Sequence, residues 1–164
     1  MPVPKTPLLT VDCIVLDPNG RILMIRRRNQ PHKGKLALPG GFVDVGETVE
    51  DACRRELCEE TGVIAGRLTL IGVYSDPKRD TRFHTCSVVY LTRITKTKAA
   101  TAAAGDDAAS IEWINNWRTA PLAFDHRVIV RDAMRRVATT AAPVASRRPA
   151  PRTRPRPPVR RRRS

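Results

Sequence analysis

Three glutamates lie close together on one predicted helix. Glu56, Glu59 and Glu60 are spaced i, i+3 and i+4, so their side chains leave the same side of a helix with Cβ atoms about 5 to 6 Å apart. Like charges at this spacing destabilise a helix unless cations neutralise them. Oxygen ligands suit hard cations, which indicates Mg²⁺, with Mn²⁺ as a substitute. A solvated acidic helix face is the alternative interpretation.

The residues around this turn match a longer pattern, G-x(5)-E-x(7)-R-E-U-x-E-E-x-G-U, where U is aliphatic. With typical residue frequencies, a chance match at a given register has odds on the order of one in a billion. The pattern is the Nudix box, and from about Thr6 to Ala138 the chain resembles the Nudix hydrolase superfamily, whose members hydrolyse a nucleoside diphosphate linked to another moiety. The matching residues are Gly41, Glu47, Arg55, Glu56, Leu57, Glu59, Glu60, Gly62 and Val63.

The resemblance implies roles for the residues of the box. The metals would be held by the backbone carbonyl of Gly40 and by the carboxylates of Glu56, Glu59 and Glu60. Glu47 would tie the preceding loop to the helix. The resemblance also implies a Nudix-like α/β/α sandwich with a mixed central sheet.

Arg55 and the general base are interpreted from position alone. Arg55 precedes Glu59 by four residues, so it is placed to orient that carboxylate in the absence of metals. The base that activates water is left open between Glu56, Glu59 and a carboxylate from the stretch 106–112, which is predicted to be mobile.

Segments outside the box resemble the ADP-ribose pyrophosphatase branch of the superfamily. They are residues 37–43, 72–80 and 122–126, with a weaker similarity at 105–108. Pro77 also follows Gly62 by 15 residues, a spacing seen in that branch. The resemblance implies hydrolysis of ADP-ribose to AMP and ribose 5-phosphate. The chain departs from the branch at Thr81 and Phe83, where Pro and Gly are usual.

Five residues are candidates for substrate binding. The cations of the loop at 76–84 and of the basic segment 26–28 suit anionic phosphates, although each one taken singly could equally be an ordinary surface charge. The lone histidines His84 and His126 more often have structural roles than catalytic ones, and Trp113 and Phe124 could stack on a base or pack in the core. The candidates are Arg27, Pro77, Arg79, Arg82 and His84.

Periodicity and turn residues predict a mixed α/β domain. Thr48 resembles an N-cap and Gly62 a helix stop, which predicts a helix over Val49–Thr61. A second helix is predicted from His126 to Ala138, after Asp125 as its cap. The predicted strands are 6–16 and 21–25, joined as a hairpin, then 38–43, 67–74, 85–92 and 110–114.

Composition divides the chain at residue 138. The net charge is +14, but residues 139–164 hold nine arginines, six prolines and no acid. Such a segment cannot bury enough apolar surface to order itself, so we expect a Nudix domain over 1–138 and a disordered basic tail over 139–164. No stretch is long and apolar enough to span a membrane, and the N-terminus lacks a signal-peptide pattern, which predicts a cytoplasmic protein without membrane partners.

The sequence is also compatible with two other functions. Within hydrolases, a (d)NTP pyrophosphatase of the oxidised-nucleotide (8-oxo-dGTP) type shares the box, and Glu112 and Trp113 are compatible with its base pocket. In another class, the chain is a nucleic-acid-binding or regulatory module that acts through its tail, although arginine without aromatic residues predicts only nonspecific, salt-sensitive contact. The resemblance further implies that a homodimer is to be expected.

Overall fold

The computed structural model describes residues 2–105 and 108–141. These residues form six strands and three helices. In chain order they are β1 (Leu8–Leu16), β2 (Ile22–Arg27), β3 (Leu36–Ala37), α1 (Val49–Thr61), β4 (Thr69–Tyr74), β5 (Thr85–Arg93), α2 (Lys96–Ala100), β6 (Ala108–Ile114) and α3 (His126–Ala141).

The strands form a mixed sheet that opens beside β1. β1 pairs in parallel with β5, which pairs antiparallel with β4. β2 pairs antiparallel with β6 and β3, but it meets β1 only at Leu16 and Ile22. Further along β1 its backbone bonds instead to the loop after β3, where Val11 N–H donates to Gly41 O (2.9 Å) and Cys13 N–H to Pro39 O (2.8 Å). This loop therefore lies where β1 and β2 separate.

Helices cover both faces of the sheet, which confirms the predicted α/β/α sandwich. The side chains of β1 alternate between two cores: Val11, Cys13 and Val15 pack on the side of α1, and Ile14 and Leu16 on the side of α3. Because both faces are buried, β1 is apolar at nearly every position, as expected for a central strand. Both faces of β1 therefore contribute to the core.

The boundaries of α1 match the prediction at both ends. The Thr48 side chain accepts a hydrogen bond from Asp51 N–H (3.1 Å). At the other end Gly62 has φ of 67°, and its N–H donates to Cys58 O (2.8 Å). A residue with a side chain would be strained in this left-handed conformation. Thr48 and Gly62 therefore fix where α1, which carries the acidic turn, begins and ends.

The strands begin or end differently from the prediction, and the predicted strand at 38–43 is a loop that follows β3. Arg26 and Arg27, which lie beyond the predicted end of the second strand at residue 25, are the last residues of β2, because β6 continues to pair with β2 there. Arg26 Nε also donates to Glu112 Oε1 across the pair (2.9 Å). β6 begins at Ala108, so the part of the predicted mobile stretch from 108 to 112 is strand.

The helices differ from the prediction in two places. The short helix α2, which was not predicted, is capped by the Thr95 side chain. α3 continues to Ala141 because no glycine or proline stops it at Ala138, so residues 139–141 of the predicted tail are helical. The rest of that tail lies outside the described residues. Among the helices described, none is long and apolar enough to cross a membrane.

Candidate active site

Arg55 organises the acidic turn of α1. Its Nη1 donates to Glu56 Oε1 (2.9 Å) and to Glu59 Oε2 (3.1 Å), the contact expected from the sequence. Its Nη2 donates to Glu47 Oε1 (2.7 Å) and to Phe42 O (3.0 Å). The hydrogen bonds from Arg55 lower the pKa of Glu47, whereas burial raises the pKa of Glu56 even though Arg55 opposes that shift. One guanidinium therefore joins the helix to the loop before it.

The glycine loop after β3 lies directly against this acidic turn. Gly40 N–H donates to Glu60 Oε2 (2.9 Å). A Cβ on Gly40 would lie 2.1 Å from Val11 O, and its φ of 155° also disfavours a side chain. A Cβ on Gly41 would lie 2.4 Å from Glu56 Oε1. Only glycines let the loop pass between β1 and the two carboxylates.

A cavity of about 310 Å³ opens beside the glycine loop. Its volume is at the lower end of the range for small-molecule sites, about 300 to 1,000 Å³. Of the three glutamates of the acidic turn, Glu60 lines the cavity beside Gly40 and Gly41, whereas Glu56 and Glu59 do not. The lining also holds a group of basic and aromatic residues, which we call the basic wall. This wall consists of Arg27, Arg28, Arg79, Arg82, Phe124 and His126.

Two of the predicted phosphate-binding arginines approach each other in this cavity. Burial and the nearby Arg82 lower the pKa of Arg27. Arg27 Nε donates to Pro31 O (2.7 Å), and its guanidinium lies 5.0 Å from the centre of the Phe124 ring. Arg82 is held by Asp80, with Nη2 donating to Oδ2 (2.9 Å). Since like charges repel, an anion bound between Arg27 and Arg82 would stabilise both.

Arg79 is engaged with the protein itself rather than with open space. It donates to both carboxylate oxygens of Asp125 (3.0 and 2.9 Å) and to Asp12 (3.4 Å). Its side chain is 7% exposed. The hydrogen bonds to Asp125 and the charge of Asp12 raise the pKa of Arg79, although burial alone would lower it. Arg79 thus lines the cavity as half of a buried ion pair.

With this geometry in place, comparison with known proteins identifies the family. The profile of the NUDIX domain matches residues 6–133. The chain belongs to the Nudix family. It is 46% identical over 129 residues to an ADP-ribose pyrophosphatase of Methanocaldococcus jannaschii, covering 79% of this chain and 74% of that protein.

Two further comparisons are informative about the branch. The Nudix domain of NrtR from Shewanella oneidensis, solved as a cocrystal with ADP-ribose, superposes with a TM-score of 0.74 at 27% identity, covering 81% of this chain and 90% of that one. A putative 8-oxo-dGTP diphosphatase of Bacillus subtilis is 37% identical over 105 residues, with 64% of each chain covered. The protein is a Nudix hydrolase, and its similarity to the ADP-ribose pyrophosphatase branch is confirmed.

The acidic residues of this Nudix hydrolase fit a divalent cation in kind. Glu56, Glu60 and the Gly40 carbonyl offer oxygen ligands, which suit a hard ion. Among the side chains of residues 2–105 and 108–139, no three acids, histidines or cysteines already form a metal-sized group. Arg55 instead donates to oxygens of Glu56 and Glu59. A cation would take over oxygens that Arg55 now holds.

Several predicted site residues of the Nudix hydrolase do not line the cavity. Pro77 is exposed, and exposed His84 contacts Ser75 O through Nε2 (3.2 Å). Glu112, considered for a base pocket, pairs with Arg26, and Trp113 packs with the core beside α1. These placements weaken the two features that were compatible with an oxidised-nucleotide enzyme.

Sequence reasoning missed three acids around this cavity. Asp12 and Asp80 line it, and Asp125 pairs with Arg79 from the end of the segment 122–126. An aspartate inside the otherwise apolar run of β1 was the available signal for Asp12, because such a residue is buried only with partners. Its partners come from distant parts of the chain and could not be read from the spacing.

Proposed function

We propose that this Nudix hydrolase is a Mg²⁺-dependent ADP-ribose pyrophosphatase that releases AMP and ribose 5-phosphate. The observation that carries the proposal is the cavity itself, which brings Glu60 and the glycine loop together with Arg27 and Arg82. The negative oxygens of a pyrophosphate would offset the repulsion between the two arginines and would bind a cation held by the acids. The similarity to an ADP-ribose pyrophosphatase supports the choice of substrate.

The metal would be held by oxygens of the acidic turn and the glycine loop. The ligands we propose are Glu56, Glu59, Glu60 and the backbone carbonyl of Gly40. When bound, Mg²⁺ would polarise phosphoryl oxygens and make the bound water more acidic. Mn²⁺ would substitute because it accepts the same oxygen ligands.

Besides binding metal, residues of the turn would hold carboxylates in position and take a proton from the attacking water. Arg55 keeps Glu59 in place from 3.1 Å and fixes Glu47 at the loop. Glu56 and Glu59 are the candidates on this turn for the base that takes a proton from the attacking water, and a carboxylate from 106–112 remains the third predicted candidate. Glu56 is the better buried of the two, with a side chain 16% exposed against 58% for Glu59. Burial also raises the pKa of Glu56, which suits a general base.

Substrate phosphates would be bound from the basic wall. Arg27 and Arg82 are the groups proposed to contact them directly, whereas Arg79 acts through its ion pair with Asp125. Pro77 and His84 remain predicted substrate contacts, with the requirement that their loop closes over the ligand. A homodimer and a cytoplasmic location also remain predictions, as does the division of the chain into a Nudix domain and a basic tail.

The test is a substrate panel with the purified full chain and Mg²⁺. ADP-ribose and a set of nucleoside triphosphates that includes 8-oxo-dGTP are compared by kcat/KM, and the products are separated by chromatography. We expect ADP-ribose to be preferred and to give AMP and ribose 5-phosphate in equal amounts. Preferential release of pyrophosphate from any triphosphate would refute the proposed substrate and favour the activity named for the Bacillus subtilis relative.

A further inference from the structure

His126 is a buried histidine that contacts both strand β1 and the segment that follows β3. It is the first residue of α3 and is 3% exposed. Its Nδ1 accepts a hydrogen bond from Leu38 N–H at 2.9 Å, so this nitrogen carries no proton. The ring proton is therefore on Nε2, which lies 3.4 Å from Asp12 Oδ1. The two contacts together select one tautomer of the ring.

Asp12 is itself anchored on the side away from His126. Its Oδ2 accepts from Ser87 Oγ at 2.5 Å and from Arg79 Nη2 at 3.4 Å. Burial alone would raise the pKa of Asp12, but His126 and Arg79 outweigh this effect and hold it below its usual value. The carboxylate is thus a fixed, charged acceptor for the Nε2 proton.

The Leu38 amide begins the segment that delivers the glycine loop to the acidic turn. Strand β3 ends at Ala37, so Leu38 N–H has a histidine nitrogen where a strand would offer a carbonyl. The next residues are bound on both sides: Pro39 O accepts from Cys13 N–H (2.8 Å), and Gly40 N–H donates to Glu60 (2.9 Å). His126 thus holds Leu38 two residues before Gly40, whose peptide contacts the acidic turn.

We propose that His126, with its tautomer set by Asp12, is a positioning residue that holds the Leu38 amide so that the Gly40 peptide faces the acidic turn. The part of this proposal that concerns the metal rests on the proposed function. The position of Leu38 and Gly40 does not depend on a metal, so it can be tested in metal-free protein.

Three substitutions separate the two contacts of His126. His126→Asn places a side-chain oxygen near the position of Nδ1, so it keeps an acceptor for Leu38. His126→Gln reaches towards Asp12 instead, and His126→Ala removes both contacts. Thermal unfolding of each variant shows whether it remains folded. If His126→Ala fails to fold, the comparison of Asn with Gln still decides the proposal.

Two measurements are made on the folded variants. Hydrogen exchange of residues 36–42 in metal-free protein should be faster in the Gln and Ala variants and near wild type in Asn. The Mn²⁺ dissociation constant, measured by electron paramagnetic resonance of free Mn²⁺, should rise about 10- to 100-fold in Gln and Ala, the usual cost of losing a group that orients metal ligands. It should be partly restored in Asn, with kcat falling more than KM changes.

The outcomes distinguish this proposal from the proposed function. Equal exchange in all variants, or Asn no better than Gln, would overturn the role of His126 whatever the enzyme hydrolyses. If the wild type binds Mn²⁺ but leaves ADP-ribose intact, the substrate proposal fails while the comparison of variants remains decisive. If the wild type binds no Mn²⁺, the exchange data alone decide whether His126 holds the loop.

A second, independent feature is a groove beside α3 that shares no residue with the cavity. Its volume is about 510 Å³, and it lies between the turn before residue 120 and the helix. Four of its residues are arginines from these two segments. They are Arg118, Arg127, Arg131 and Arg135, with Trp117 and Met134 beneath them.

The arginines of the groove are held in place but mostly not neutralised. Arg127 donates to the carbonyls of Trp117 (3.1 Å) and Ala120 (2.7 Å). The Arg118 guanidinium lies 4.4 Å from the centre of the Trp117 ring. Arg131 and Arg135 share the carboxylate of Asp132, at 3.1 and 4.0 Å, and their side chains are 48% and 73% exposed. The groove therefore has an excess of positive charge.

Charge also limits what can occupy the groove. Residues 142–164 carry nine arginines and no acid, and the whole chain has a net charge of +14. Both the tail and a second copy of the chain are therefore repelled. We infer that the α3 groove binds the phosphate backbone of a nucleic acid, whose regularly spaced anions match several separated guanidiniums.

The test uses the full chain and a fluorescent 20-nucleotide single strand, with binding followed by anisotropy over a range of salt. The groove variant is Arg118→Gln with Arg131→Gln and Arg135→Gln. The matched control removes three exposed cations elsewhere: Arg67→Gln, Arg93→Gln and Lys96→Gln. We expect the groove variant to reduce the slope of log K against log salt by about 2, since each lost phosphate contact contributes roughly 0.7.

The control should change this slope by much less, although its net charge is the same. Equal slopes for the two variants would overturn the inference, because net charge alone would then explain the binding. Polyglutamate of similar length serves as a competitor. Displacement of the oligonucleotide at equal anion concentration would also overturn it, since the groove would then accept any polyanion.

Discussion

The two helices that cover the sheet differ in how charge is placed around them. On the side of α1 the acids lie at the rim, and the Glu59 side chain is 58% exposed and held by Arg55. On the side of α3, Asp12, Arg79 and His126 are buried against one another. A charge at the rim can exchange its partner for a ligand, whereas a buried charge loses its partner only at a cost of several kcal/mol. Chemistry is therefore expected at α1, and positioning beside α3.

The largest effect should come from breaking the buried pair beside α3. Arg79→Met leaves Asp125 and Asp12 without the cation that now lies 2.9 and 3.4 Å away. Removing one partner of a buried pair typically costs about 3 to 5 kcal/mol. Urea unfolding should show a loss of this size in the free energy of unfolding.

The double variant Arg79→Met with Asp125→Leu is the matched control. It removes both charges of the main pair, so at least half of the lost stability should return. An Arg79→Met protein within about 1 kcal/mol of wild type, the usual range for an exposed pair, would mean that the two sides of the sheet do not differ in this way.

Glu60→Gln should have the next largest effect, on turnover rather than on stability. The substitution removes a charge from a proposed metal ligand without changing its volume, and Gly40 N–H can still donate to the amide oxygen. We expect kcat/KM for ADP-ribose to fall roughly 100-fold or more, since even groups that only orient metal ligands contribute about 10- to 100-fold. Glu50→Gln, on the same helix outside the acidic turn, should keep normal turnover. Near wild-type rates for Glu60→Gln would contradict the metal assignment.

Contacts between residues close in sequence were predictable, and contacts between distant residues were not. The ends of α1 and the contact between Arg55 and Glu59 depend on residues a few positions apart, so spacing was sufficient. The basic wall depends on pairs such as Arg79 with Asp125, 46 residues away, and Ser87 with Asp12, 75 residues away. No local pattern encodes such pairs. Arg79 was therefore predicted to bind a substrate phosphate, although the structure buries its side chain in an ion pair.

Strand and helix ends were missed for a related reason. β2 extends to Arg27 because β6 pairs with it across more than 80 residues of chain, and this pairing overrides the basic, loop-like composition of the segment. The Ala- and Thr-rich connection before β6 contains a short helix because Thr95 caps it. Composition alone favoured an irregular segment there.

A smaller effect on turnover is expected at the rim when Arg55 is shortened. Arg55→Lys keeps the charge but cannot contact Glu47, Glu56 and Glu59 together, because an ammonium lacks the planar fork of donors. We expect kcat to fall about 10-fold, the lower end of the range for groups that orient ligands, with little change in melting temperature. Arg54→Lys, on the neighbouring position, serves as the control. A normal kcat for Arg55→Lys would show that turnover does not require the Arg55 guanidinium to hold these glutamates in position.

The smallest effect tests whether a buried acid remote from the cavity affects stability alone. Asp17 is 3% exposed at the end of β1. Burial alone would raise its pKa, but hydrogen bonds from Arg21 and Asn19 outweigh this and lower it. A folded pKa below the unfolded value of about 3.9 stabilises the protein above that pH, and this stabilisation is lost as the pH falls through the folded pKa.

Asp17→Asn should thus cost about 1 to 2 kcal/mol at pH 7, because it loses a charged hydrogen bond. The difference in urea unfolding should shrink below about pH 4, with turnover at pH 7 unchanged. A difference that stays constant from pH 7 to pH 2 would show that the ionised carboxylate is not what stabilises this turn.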